Sequence, residues 1–216
     1  MAFDLLSIII PVYNEEATIS LILNKIIGVN LISDIGKELI IVDDCSTDST
    51  AKEVNRFIER NQSFNIRFFH HEINKGKGAA LHTGISKAKG EYIIIQDADT
   101  EYDPNEYNDL LKPVLAGFAD VVYGSRFTGS NPHRILFFWH TIGNKLLTFL
   151  TNMFSNLNLT DMETCYKLFN TEILQSLRLK EMKSSTGDIV WSKRKTGQWL
   201  LTGFPHRHSA LDTGDI

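Results

Sequence analysis

Several familiar features are missing from this 216-residue chain, and each absence narrows what it can be. It has two cysteines, Cys45 and Cys165, too few for a disulfide framework and without the CxxC spacing of structural zinc, so a reducing, cytoplasmic setting is expected. It has no basic block. A net charge of −4 is spread along the sequence, which leaves no electrostatic footprint for nucleic acid. The apolar residues after Met1 run into Pro11, Asn14 and two glutamates without the basic segment and cleavage site of a signal peptide, so the start reads as a first strand. A membrane span needs about 20 mostly apolar residues, and the best candidate, 134–157, is interrupted at its middle by Asn144 and Lys145. Neither G-x-x-x-x-G-K-[ST] nor G-x-G-x-x-G occurs, which argues against a P-loop nucleotide hydrolase and a nicotinamide-binding enzyme. There is also no internal repeat and no low-complexity linker.

What is present suits one globular domain, since 43 % apolar residues over this length can furnish a core. "LLSIIIPV" at 5–12 is a continuous apolar run of strand length, as expected of a strand buried on both faces. From Glu15 onward, Ile19, Ile22, Leu23, Ile26 and Ile27 recur at helical spacing behind acids placed to suit the helix dipole. The alternation repeats: a strand at 37–44, a helix in "STDSTAKEVNRFIER", a strand in "NIRFFHH", a helix over 75–89 closed by Gly90, and strands in "EYIIIQ" and "DVVYGS". Such a pattern predicts an α/β fold with a mostly parallel, Rossmann-like sheet flanked by helices, and ligands outside the carboxyl ends of the strands. "YNEE", "DDCSTD" and "DADTE" each follow a predicted strand directly, so three acidic loops should converge on one rim.

The motifs admit more than one reading when taken singly. The D-x-D of Asp97 and Asp99 is either a solvated acidic turn or a pair of hard oxygen ligands for Mg²⁺ or Mn²⁺, ions that join a substrate's phosphates rather than being caged by protein. Asn14, Asp43 and Asp44 can cap the helices that follow them or meet a ligand. In "NKGKGAALHTG", Gly76 and Gly78 open a helix whose backbone N–H groups can face an anion, while Lys75 and Lys77 read as surface charge or as phosphate ligands. Arg126 after "YGS" suits a phosphate fork or a surface ion pair. Residues 134–157 form an amphipathic helix, with Ile135, Trp139, Ile142, Leu146, Phe149, Leu150, Met153 and Leu157 on one face, lying either in the core or on a membrane surface.

Taken in order, "SIIIPVYNEEATI", "LIIVDDCSTDST", "NKGKGAALHTGISKAKGEYIIIQDADTEYDP", "VVYGSRF" and "TDMETCYKLF" resemble the family 2 glycosyltransferases, in particular their dolichyl-phosphate mannose synthase and dolichyl-phosphate glucosyltransferase branch. The likeness covers about residues 5–180, and its specificity lies in five motifs in the right order. It implies a GT-A fold, a nucleoside-diphosphate sugar donor of UDP-glucose or GDP-mannose type, and inverting transfer to a polyprenyl phosphate at the cytoplasmic face of a membrane. By the same resemblance, Pro11, Tyr13, Glu15, Asp43 or Asp44, Lys75, Gly76 and Asp97 line the nucleotide-sugar site. Asp99 holds the metal with help from Glu101, and Arg126 faces a donor or acceptor phosphate. The "ED" pair that supplies a base in relatives with hydroxyl acceptors has no clear counterpart; Asp161 is the nearest acid. That gap favours a phosphate acceptor over a glycan hydroxyl.

After about Lys183 the family pattern stops. A catalytic unit over 1–182 and a divergent or truncated tail over 183–216 are therefore expected, with a degenerate, inactive homologue as the alternative that the tail raises. A sugar-phosphate nucleotidyltransferase would want a Gly-rich loop where "PVYNEE" stands, and a haloacid-type phosphatase would want D-x-D-x-[TV]. A receiver-like binding module does not account for the further motifs.

Overall fold

The computed structural model describes residues 3–100, 102–124, 138–155, 166–176, 189–193 and 199–203. Its elements in chain order are β1 (Leu5–Val12), α1 (Ile19–Gly28), β2 (Gly36–Asp43), α2 (Thr50–Arg60), β3 (Asn65–His70), α3 (Lys77–Lys87), β4 (Tyr92–Ile95), α4 (Tyr107–Leu115), β5 (Val121–Tyr123), α5 (Phe138–Ser155), β6 (Lys167–Asn170), α6 (Thr171–Ser176), β7 (Ile189–Lys193) and β8 (Trp199–Gly203). The first six strands form one sheet in the order β3-β2-β1-β4-β6-β5, and β7 and β8 form a separate antiparallel pair.

Strands β1 to β4 are mutually parallel, as the alternation of strand and helix predicts. Strand β6 runs antiparallel to both β4 and β5, with Phe169 opposite Ile93 on one side and Val121 on the other. The alternating odd and even residues of β1 explain why it reads as an unbroken apolar run. Leu6, Ile8, Ile10 and Val12 pack with Ile22, Leu23 and Ile26 of α1, Val54 and Phe57 of α2 and Leu110 and Leu111 of α4. Ile9 packs on the other face with Ala80, Leu81 and Ile85 of α3 and Leu174 of α6. Both faces are covered, so no polar alternation is needed.

Three local expectations differ from what is found. Helix α1 begins at Ile19, not Glu15, and has no acid in its first turn. The reason is that the Glu15 and Glu16 amides are engaged elsewhere, donating to Thr50 Oγ1 (2.8 Å) and Asp48 Oδ2 (3.2 Å). Gly90 does not cap α3, whose C-cap is Ala88. It sits instead where a Cβ would lie 2.5 Å from the Leu5 carbonyl oxygen, packing the turn against β1. In α5, Thr148 and Thr151 are buried while Leu146, Phe149, Met153 and Phe154 are exposed. The described part of the helix thus turns its apolar stripe outward, against the core-helix reading, and no helix among the described residues is long and apolar enough to cross a membrane.

The end of the sheet away from the acidic rim is closed by a buried carboxylate. Glu38 accepts from the Ser7 hydroxyl, the Arg67 guanidinium (2.6 Å), the Lys89 amide (2.6 Å) and the Gly90 amide (3.2 Å). Burial alone would raise its carboxyl, but the hydrogen bonds and the Arg67 charge prevail and hold it below the ordinary range.

Candidate active site

The chain runs outward from β1 to β2 and β3, then returns to β4 on the other side of β1. The crevice at the carboxyl ends of β1 and β4 is therefore the switch point at which an open α/β sheet binds ligands. Pro11 lies buried in β1 opposite Val42, and Tyr13 just beyond it is 47 % exposed. The chain then turns sharply: Asn14 has φ 56°, and Cys45 at the equivalent exit from β2 has φ 64°. Asparagine tolerates this left-handed conformation far better than cysteine, whose strain the surrounding contacts must overcome.

Those contacts stitch the two loops together. The Asn14 amide donates to Ser46 Oγ (2.9 Å) and the Thr47 amide donates to Asn14 Oδ1 (2.8 Å). The Ser49 amide donates to Glu16 Oε2 (2.8 Å), and Glu15, half-buried, accepts from the Thr18 hydroxyl. Residues 13–18 and 46–50 consequently form one wall of the crevice.

Asp43 and Asp44 are both buried. Asp43 accepts from the Ser46 amide (3.0 Å) and lies 2.9 Å from His70 Nδ1. Asp44 faces His71 Nδ1 (2.7 Å) and accepts from the amides of Lys75 (3.0 Å) and Gly76 (2.6 Å). His71 Nε2 reaches Thr83 Oγ1 on α3 at 2.9 Å. An ionised carboxylate only accepts, so His71 Nδ1 donates to Asp44 while Nε2 meets the threonine hydroxyl. The network runs from α3 through β3 and β2 to the loop that leads back into α3. It fixes Gly76, at φ 89°, directly before the first turn of the helix.

At the end of β4, Ala98 is turned into the core while Asp97 and Asp99 on either side of it are half-buried. The Lys77 ammonium, on the first residue of α3, bridges to Asp97 Oδ1 at 2.6 Å. Beneath them Gln96 donates to the Asp97 carbonyl (3.0 Å) and accepts from the hydroxyls of Tyr107 (2.7 Å) and Tyr166 (3.1 Å). Burial pushes both tyrosines up from their usual range, so the floor under the acids is neutral and fixed.

The structure thus brings Pro11, Tyr13, Glu15, Asp43, Asp44, Lys75, Gly76, Asp97 and Asp99 to one rim of the sheet, while Glu101, Arg126 and Asp161 lie outside the described residues. His70, His71, Thr83, Gln96, Tyr107 and Tyr166 were not legible as site residues. The one signal available for the histidines was the "HH" closing β3, since in parallel register Asp43 stands opposite His70. Asp97 and Asp99 are too few to cage a cation, and no group of three or more His, Cys, Asp or Glu among the described residues could hold one. Two hard oxygen donors do suit Mg²⁺ or Mn²⁺ entering with a diphosphate, whose oxygens and water complete the shell.

An open, mostly parallel sheet with an acidic crevice at its switch point and a D-x-D closing β4 defines a GT-A fold. Residues 7–178 match Glycosyl transferase family 2, and the chain belongs to that family. The dolichyl-phosphate beta-glucosyltransferase of Dictyostelium discoideum is 38 % identical over 131 residues, covering 56 % of this chain but 39 % of that protein. The UDP-N-acetylglucosamine--dolichyl-phosphate N-acetylglucosaminyltransferase of Methanococcus voltae is 27 % identical over 211 residues, 90 % of this chain and 82 % of that protein. Among solved structures, glucosyl-3-phosphoglycerate synthase of Mycobacterium tuberculosis, in complex with Mn²⁺, UDP and glucosyl-3-phosphoglycerate, matches with a TM-score of 0.57 and 22 % identity over 82 % of this chain and 60 % of that one. This chain therefore spans well under half the length of the first relative and less than two thirds of that structure.

Proposed function

We propose that the protein transfers a hexose, with inversion, from a nucleoside-diphosphate sugar of UDP-glucose or GDP-mannose type to a polyprenyl phosphate at the cytoplasmic surface of a membrane. The observation that carries the reading is the half-buried Asp97 and Asp99 pair at the switch point, set on a neutral floor and faced by a lysine. The names of the two relatives, both of which act on dolichyl phosphate, support the acceptor class. The outward apolar stripe of α5 supports contact with the lipid surface. The catalytic unit is assigned to 1–182 and the tail, with the β7–β8 pair, to 183–216.

In this reading the wall formed by Pro11, Tyr13 and Glu15 meets the nucleoside, with Asp43 and Asp44 behind it. Asp99 holds the divalent ion, with Asp97 beside it and Glu101 as a further ligand. When bound there, the ion would offset the charge that builds on the departing diphosphate. Asp44 and Gln96 keep the two flanking loops in place, so the carboxylates need no rearrangement as charge develops. Arg126 is assigned to a donor or acceptor phosphate. A phosphate monoester, with its second pKa near 6, is already largely anionic at neutral pH and can attack the anomeric carbon without a base. Asp161 would matter only for a hydroxyl acceptor.

The test is incubation of the protein with Mn²⁺, UDP-glucose or GDP-mannose and a short polyprenyl phosphate. A glycolipid should form with one donor, and Asp99→Asn should lower its rate by about 100-fold or more. Product formed equally well by Asp99→Asn, or no product with any donor, would overturn the assignment.

A further inference from the structure

Lys77 occupies a position that the proposed chemistry does not by itself require. Its side chain is 34 % exposed and its ammonium lies 2.6 Å from Asp97, whose side chain is 13 % exposed. The contact joins the first residue of α3 to the loop just past β4, the two far ends of a consecutive helix and strand. The approach is fixed from behind, because Asp44 holds the amides of Lys75 and Gly76 immediately before it.

The Lys77 ammonium offsets part of the charge that the Asp97 carboxylate presents. A free divalent cation entering there must displace or tolerate the lysine. A cation that enters with a diphosphate meets a different balance: the ammonium can leave Asp97 for a phosphate oxygen, which frees the carboxylate for the ion. On a four-carbon stem with three donors, lysine makes that exchange with little change elsewhere. We propose that Lys77 is the counter-ion that makes metal binding at Asp97 and Asp99 conditional on the nucleotide diphosphate, so that cation and donor bind as a unit. This rests on the donor reading given above.

Reciprocity of coupled binding makes the idea measurable without turnover, because the factor by which nucleotide raises metal affinity equals the factor by which metal raises nucleotide affinity, and Lys77 would act on that factor. Mn²⁺ binding to wild type and Lys77→Met should be titrated alone and with saturating UDP or, separately, GDP, by water-proton relaxation or calorimetry. Methionine keeps the apolar stem and removes the charge. In Lys77→Met, Mn²⁺ alone should bind about three- to tenfold more tightly, the size expected of a part-exposed charge pair. The enhancement of Mn²⁺ affinity by nucleotide should fall by at least about tenfold, and Lys77→Arg should retain most of it. Unchanged coupling in Lys77→Met, or weaker binding of Mn²⁺ alone, overturns the role of Lys77 while leaving the donor reading intact. A wild type that binds neither nucleotide in the presence of Mn²⁺ overturns both.

Discussion

Replacing Asp44 with alanine separates two roles that sequence reasoning leaves together, a direct contact to nucleotide and a brace for the loop before α3. Asp44 is 2 % exposed and engages His71 and the amides of Lys75 and Gly76. Hydrogen bonds to a charged group are worth roughly 1.5–3 kcal/mol each, and a buried donor left without its partner costs about 1–3 kcal/mol. Lys75 is exposed and Gly76 partly so, so water can re-solvate their amides; His71, at 9 % exposure, cannot be re-solvated as well. A loss of about 2–4 kcal/mol for Asp44→Ala follows. For a domain of this size that is a fall of about 4–16 °C in melting temperature. Asp44→Asn, with its oxygen in the Oδ1 position, keeps His71 and the Lys75 amide but turns an NH₂ towards the Gly76 amide, and should lose about half as much. Thermal and urea unfolding followed by circular dichroism measure the effect, with nucleotide titration of the folded variants alongside. If Asp44→Ala melts with the wild type yet no longer binds nucleotide, Asp44 is a ligand group and its role as a brace is refuted.

Two further outcomes test the far end of the sheet. The Glu38 carboxyl is held below its ordinary value of 4.5, so its contribution to stability is present above that value and is lost as pH falls through the lower folded value. Glu38→Gln should therefore be less stable than wild type at pH 7 and show a flatter decline between about pH 5 and 3, read from urea midpoints across that range. Gly90→Ala places a Cβ 2.5 Å from the Leu5 carbonyl oxygen and 2.8 Å from the Ser7 nitrogen, and should cost at least about 2 kcal/mol in the same assay. Gly28→Ala, whose Cβ meets nothing within 4 Å, is the control and should leave the midpoint unchanged or slightly raised.

The elements that were legible in the sequence are those whose burial is carried by their own residues. Strands β1, β2 and β4 are apolar on both faces and show as unbroken runs. Helix α4 carries no such signal, because Pro113 lies within it and its polar residues directly follow the acidic loop. Strand β6 is four residues long and owes its place to the gap between β4 and β5 rather than to its own pattern. For α5 the spacing defined an apolar stripe but not its direction, since periodicity cannot say which face meets protein. Thr148 and Thr151 face inward in the structure.

The same distinction governs the site. The acids were legible because each follows a strand, and the fold alone then delivers them to one edge. Their partners were not, because those depend on register and on where α3 crosses. Asp43 meets His70 only because β2 and β3 are parallel with these two residues opposite each other, and His71 reaches Asp44 as the next residue along. Lys77 beside a glycine at a helix start has the local signature of a solvated side chain. It meets Asp97 because α3 packs over β1 and β2 while the chain returns through β4 on the far side of β1. The ion pair between Lys77 and Asp97 is thus a property of the crossover connection, which no window of sequence around residue 77 contains.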